Sequence, residues 1–132
     1  MPPYFATLCS TILVRSRMRC SVFVVTVAFL SLCSCDVATS RYTTLTDARN
    51  DRLFERGWLP DILPASTRDI RVANDLDLNH SEGEFSFDPA EFAGFASQLQ
   101  PMGGETFQYS VDKHTWTFAC DSSRGHCKYS LR

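Results

Sequence analysis

The chain has 132 residues, of which 44% are hydrophobic, 21% charged and 12% aromatic, so a disordered or collagen-like chain is excluded. The length fits one domain rather than two. A formal net charge of −2, from 13 basic and 15 acidic residues, argues against a nucleic-acid binder.

The amino-terminal third reads as an export signal. Arg15, Arg17 and Arg19 form a positive cluster ahead of an apolar run from Cys20 to Leu32. Cys33, Ser34 and Cys35 close the run, and the chain turns polar at Asp36. A charged start, a short apolar stretch and a small-residue exit are the three parts of a secretory signal. The stretch is about 13 residues long, whereas a membrane-spanning helix needs roughly 20, which makes a transmembrane segment the weaker reading. A start at Met18 gives a compact signal, and residues 1–17 then stand as an upstream extension.

Leu32-Cys33-Ser34-Cys35 resembles the end of a bacterial lipoprotein signal. Leu32 stands three residues before the second cysteine, and the small Ser34 immediately before it. The resemblance implies cleavage before Cys35, a diacylglycerol on its thiol and an acyl chain such as palmitate on the new amino group. The alternative is an unlipidated signal with Cys35 as a free or paired thiol. Two or three acyl chains give stable anchoring where one is marginal. The expected location is the bacterial cell envelope, with the protein lipid-anchored and facing the periplasm. Asp36 after the anchor cysteine resembles the signal that retains some enterobacterial lipoproteins in the inner membrane; the choice of membrane stays open. All the acids follow residue 35 and three arginines precede it, so the mature chain is acidic, and the lipid rather than charge must tether it.

Residues 35–44 read as the lipidated cysteine and a tether, and 45–132 as a globular α+β domain. Thr46 caps a helix from about Asp47 to Phe54, with Arg52 and Arg56 near its end and Gly57 beyond it. Gly57 to Pro64 carries two prolines four apart, which forbid a regular helix or a central strand. Trp58, Leu59, Ile62 and Leu63 in that loop either plug the side of a small core or form an exposed patch that meets an envelope partner; a small domain's need for apolar side chains favours the plug.

Ile70 and Val72 alternate with Arg71 as a half-buried strand over 69–74. A polar, turn-rich stretch follows to Gly83, then a short alternating strand over 84–87, so the two strands pair as a hairpin with a long loop. Asp88, Pro89 and Glu91 give a capping box with proline at the first helical position, and Phe87 and Phe92 occupy the staple positions. Phe92, Phe95, Ala96 and Leu99 recur at helical spacing, and Pro101 and Gly103-Gly104 end the helix. The last third reads as a β-meander with Phe107, Tyr109 and Val111, then Trp116, Phe118 and Cys120, then Cys127, Tyr129 and Leu131 on alternate positions. Cys120 and Cys127 face each other across a hairpin and read as a disulfide, because an exported chain favours one. The competing reading is a metal site with His114 and His126, whose spacing fits no common zinc pattern.

No motif assigns an activity. Asp75, Asp77 and Asn79 place oxygen ligands at alternate positions like the start of a calcium loop, but His80 stands where glycine is needed and Ser86 where a glutamate is needed. No cofactor is expected. The segment Phe54–Phe87, with Gly-Trp-Leu-Pro-Asp-Ile-Leu-Pro, Asp-Ile, Asn-Asp-Leu-Asp-Leu-Asn and a Phe-x-Phe strand, resembles small, mostly uncharacterised proteobacterial lipoproteins; the resemblance implies no activity. The expected architecture is a single α+β domain with two short helices packed on an antiparallel sheet that ends in a disulfide-closed hairpin. The expected function is a binding or structural module at the membrane, with Trp58, Leu59, Ile62, Asp75, Asp77, Asn79, His80 and Glu82 as candidate contacts. The rival is a small periplasmic hydrolase or metal-dependent enzyme using the Asp75–Glu84 loop.

Overall fold

The computed structural model describes residues 37–132. Seven antiparallel strands form one sheet: β1 (Val37–Thr44), β2 (Arg68–Asp75), β3 (His80–Ser86), β4 (Gln100–Gly103), β5 (Thr106–Val111), β6 (His114–Asp121) and β7 (His126–Leu131). Their spatial order is β1-β2-β3-β7-β6-β5-β4. Two short helices, α1 (Leu45–Asn50) and α2 (Phe92–Ala96), accompany it, the second preceded by a 3-10 turn over Pro89–Glu91. The domain is therefore mostly sheet, with less helix than expected.

Strand alternation sends Ile70, Val72, Phe85, Cys127, Tyr129, Leu131, Trp116 and Phe118 to one face, where they are buried. Leu45, Ala48, Leu53, Leu59, Leu63, Phe95 and Leu99 join them in a single core. Phe85 lies in the middle of an aromatic cluster, its ring centroid 6.0 Å from those of Phe87 and Phe95 and 6.2 Å from that of Phe118. Rings at such distances and mostly edge-on angles add to the area they bury.

Four local expectations are corrected. The stretch read as a tether is β1, an edge strand that pairs with β2 from Val37 opposite Asp75 to Thr44 opposite Arg68. Its inward positions are Ala38, Ser40 and Tyr42, too weakly apolar to reveal a strand by alternation. The first helix is capped by Thr44, not Thr46. Thr44 is extended at φ −129° and ψ 162°, its side chain accepts from the Asp47 amide, and its own amide donates to the Asp47 carboxylate. That capping box sets the helix start two residues early. The helix ends at Asn50, and Arg52 at φ 56° turns the chain so that Leu53 enters the core.

The third correction concerns the hairpin. Its loop is short, because β3 begins at His80, directly opposite Asp75. The inward residues Ser81 and Gly83 hid this strand from the alternation. Gly83 is required there: a Cβ would collide with the Arg71 carbonyl oxygen and come within 2.9 Å of the Tyr129 ring that covers it from β7. The fourth concerns Asp88 and Glu91. Asp88 caps by accepting from the Ala90 amide, but Glu91 does not reach back. Its carboxylate accepts from Ser66 Oγ at 2.8 Å and from the Ser66 amide at 3.2 Å, and the Asp88 amide donates to Ser66 Oγ. The carboxylate thus ties the second helical segment to the loop before β2. The Phe87–Phe92 staple forms, with rings stacked 6.5 Å apart.

The meander over β5, β6 and β7 follows its alternation, and Cys120 is bonded to Cys127 at facing positions. The metal reading of these cysteines and His114 is thereby overturned. Gly125, at φ 60°, lets the β6–β7 turn press against Phe87, whose amide donates to its carbonyl at 2.7 Å.

Candidate functional site

The sheet has one face covered by α1, the Trp58–Leu63 loop and α2, and one face open. Outward positions on the central strands carry charge. By register, Arg41 lies opposite Arg71, Arg71 opposite Glu84, and Glu84 opposite Lys128, a row running across β1, β2, β3 and β7. Two adjoining shallow depressions, of about 470 and 460 Å³, share Arg41, Arg71 and Glu84.

Arg71 Nη1 donates to Glu84 Oε1 at 3.1 Å. The other oxygen of Glu84 lies 3.7 Å from His126 Nε2, and Ser86 Oγ is 3.2 Å from His126 Nδ1. Like charges directly opposite on neighbouring strands repel, so Arg41 facing Arg71 costs stability. Arg41 and Lys128 have no carboxylate partner among the described residues. Two unpaired cations therefore stand beside Asp69, Glu82 and Glu84 on the same surface. Beside them, β2 bulges between Arg68 and Arg71, and Asp69 is held in the left-handed region at φ 52°. Bulges of this kind re-aim side chains and recur near binding sites.

Ser86, His126 and Glu84 outline a hydroxyl–imidazole–carboxylate chain. Glu84 is already engaged by Arg71, and all three are neighbours by sheet register alone. The open face thus carries a connected row of charged and polar side chains.

Behind the row, on the covered face, lies a buried polar cluster. Ser81 Oγ donates to Asn74 Oδ1 at 2.7 Å, and Tyr129 OH lies 3.1 Å from Ser81 Oγ. Burial, the main cause, pushes the Tyr129 hydroxyl up to about 12, with Ser81 opposing and Tyr42 and Glu82 adding to the rise. A folded value above the unfolded one means stability that is fully present below pH ~10 and lost as pH rises toward ~12. A rise of that size is equivalent to about 2–3 kcal/mol. Urea unfolding at stepped alkaline pH should show this loss, and Tyr129→Phe should flatten it; an equal slope in the variant would assign the loss to other groups.

The anticipated site residues are dispersed. Leu59 is fully buried, and Trp58 and Ile62 are half-buried against the core, so that loop is the plug. Its prolines prevent helix while its apolar side chains cover β6, where Trp116 Nε1 donates to the Trp58 carbonyl at 3.2 Å. Asp75 and His80 face each other at the end of the β2–β3 hairpin, with Glu82 two positions further along the same face. Asp77 and Asn79 stand in the turn between them. Asp75 Oδ1 accepts from the amides of Asp77 and Leu78, which shapes the turn. Among the described residues no three of His, Cys, Asp or Glu gather to hold a metal ion. Cys35 and the export signal lie outside the described residues, and among those described no helix is long and apolar enough to cross a membrane.

Sequence reasoning missed Arg41, Arg71, Glu84, Lys128 and His126 as a group. Each sits beside an inward residue, Arg71 between Ile70 and Val72 and Lys128 between Cys127 and Tyr129. That signal placed them outward, but not beside one another.

Residues 36–86 match the family model of the YbbD head domain. The match spans β1 through β3, overlaps the Phe54–Phe87 segment, and leaves the β4–β7 strands outside it. No curated protein and no solved structure matches the chain.

Proposed function

We propose that the protein is an exported envelope lipoprotein, acylated at Cys35, whose folded domain is a binding module that uses the open face of its sheet. The observation that carries the anchor is the junction. The family match begins at residue 36 and the first strand at Val37, directly after the Leu32-Cys33-Ser34-Cys35 sequence. Nothing of the domain is lost by cleavage before Cys35. The observation that carries the module is Arg41 set against Arg71, an unfavourable pairing that an anionic group of a partner would relieve.

The intact mass of protein extracted from its native membrane tests the anchor. Residues 35–132 plus acyl chains are expected, and Cys35→Ala is expected to leave the membrane fraction. A wild-type mass without lipid overturns the anchor. Photo-cross-linkers at Thr39 and Ser130, exposed or half-exposed beside the row, test the module in cells. Adducts that vanish with Arg41→Glu support it, and yields equal to those from Met102, at the other end of the sheet, overturn it.

A further inference from the structure

Leu78 is 77% exposed and Leu76 53%, and Val37 and Val111 are nearly half exposed. All four lie at one end of the sheet. Val37 pairs with Asp75, beside the turn that carries the two leucines. Val111 pairs with His114 at the β5–β6 turn. Leu131, which faces both Ser81 and Trp116, places the two turns at the same end. Met102, the other exposed large apolar side chain of the described residues, belongs to the opposite end, next to Gly103 facing Thr106.

The fold does not need these leucines. The β2–β3 turn is shaped by the Asp75 carboxylate and by Asn79 at φ 49°, and turn positions ordinarily carry polar side chains. The chain also enters the sheet here. Cys35 precedes Val37 by two residues, at most about 7 Å of extended backbone.

We infer that this end of the sheet rests in a lipid bilayer's interface, with Leu76 and Leu78 as a second attachment beside the acyl chains. The inference rests on the lipoprotein reading, because acylated Cys35 would hold this end within reach of the membrane surface. Asp75, Asp77 and Asp112 outnumber Lys113 and Arg132 at the same end, so no net positive charge draws it to an anionic surface; the contact is apolar rather than electrostatic and should survive high salt. Strands standing end-on would leave the Arg41–Lys128 row facing the aqueous side.

The test uses the full-length protein purified from its membrane and placed in phosphatidylethanolamine–phosphatidylglycerol vesicles. A nitroxide is attached at Leu78→Cys and, separately, at Met102→Cys. Collisions with oxygen are compared with collisions with a water-soluble nickel chelate, and the intact mass of each sample is recorded. An oxygen-to-nickel ratio several-fold higher at position 78 than at 102 is expected. Equal ratios in protein whose mass includes the acyl chains overturn the tip contact and leave the anchor standing. A mass without acyl chains overturns the anchor; a high ratio at 78 would then still support the contact, and equal ratios would remove both. Leu78→Ser, at a solvent-facing position, should unfold at the same urea concentration as wild type, which separates membrane contact from folding.

Discussion

Phe85→Ala is expected to destabilise the domain by about 3–5 kcal/mol, the cost of emptying a large aromatic site that cannot collapse. Phe85 has no exposed surface and touches ring systems from three other elements: Phe87 beyond β3, Phe95 on α2 and Phe118 on β6. The rigid sheet beneath it cannot close the void. A domain of this size has of order 5–15 kcal/mol in total, so the variant should unfold at much lower urea. Phe85→Leu keeps much of the volume and should cost about 1–2 kcal/mol. Fluorescence of Trp58 and Trp116, both packed on the core, reports the transition. A loss under about 1 kcal/mol for the alanine variant would mean that Phe85 is not at the centre of the core.

Reduction of Cys120–Cys127 is expected to lower stability by about 2–3 kcal/mol, the range for a short closed loop. The cysteines are seven positions apart and face each other across β6 and β7. Their hairpin remains hydrogen-bonded after reduction, so the effect works mainly through the freed unfolded chain. At roughly 4–8 °C per kcal/mol for a domain under 100 residues, Tm should fall by about 10–20 °C. The check is thermal unfolding with and without reductant, with alkylation of both thiols confirmed by mass. Cys127 is fully buried and should be alkylated only after opening. An unchanged Tm with both thiols alkylated would show that the bridge is dispensable.

The core and the charged row differ in how they could be foreseen. Every aromatic of the meander that packs on the core sits at an alternate position, so the sequence assigned the half-buried Phe107 and the buried Trp116, Phe118 and Tyr129 their faces without a partner strand in view. The same alternation put Cys120 opposite Cys127, because a hairpin joined by a short turn has a local register. The staple of Phe87 and Phe92 was also legible, since both partners lie within five residues. By contrast, Arg41 and Arg71 are thirty residues apart, and their meeting depends on β1 pairing with β2.

Alternation and local spacing thus determined the meander, its inward face, the cystine and the proline-led start of the second helical segment. Tertiary structure alone decided that residues 37–44 are an edge strand, that Glu91 bonds Ser66 rather than closing its own cap, and that the hairpin tip presents two leucines at the end where the chain enters. The physical reason is range. Alternation and capping are carried by neighbours a few residues apart, whereas an edge strand with weakly apolar inward positions is defined by backbone hydrogen bonds to a distant partner. A surface row is likewise defined only by the register in which those partners pair.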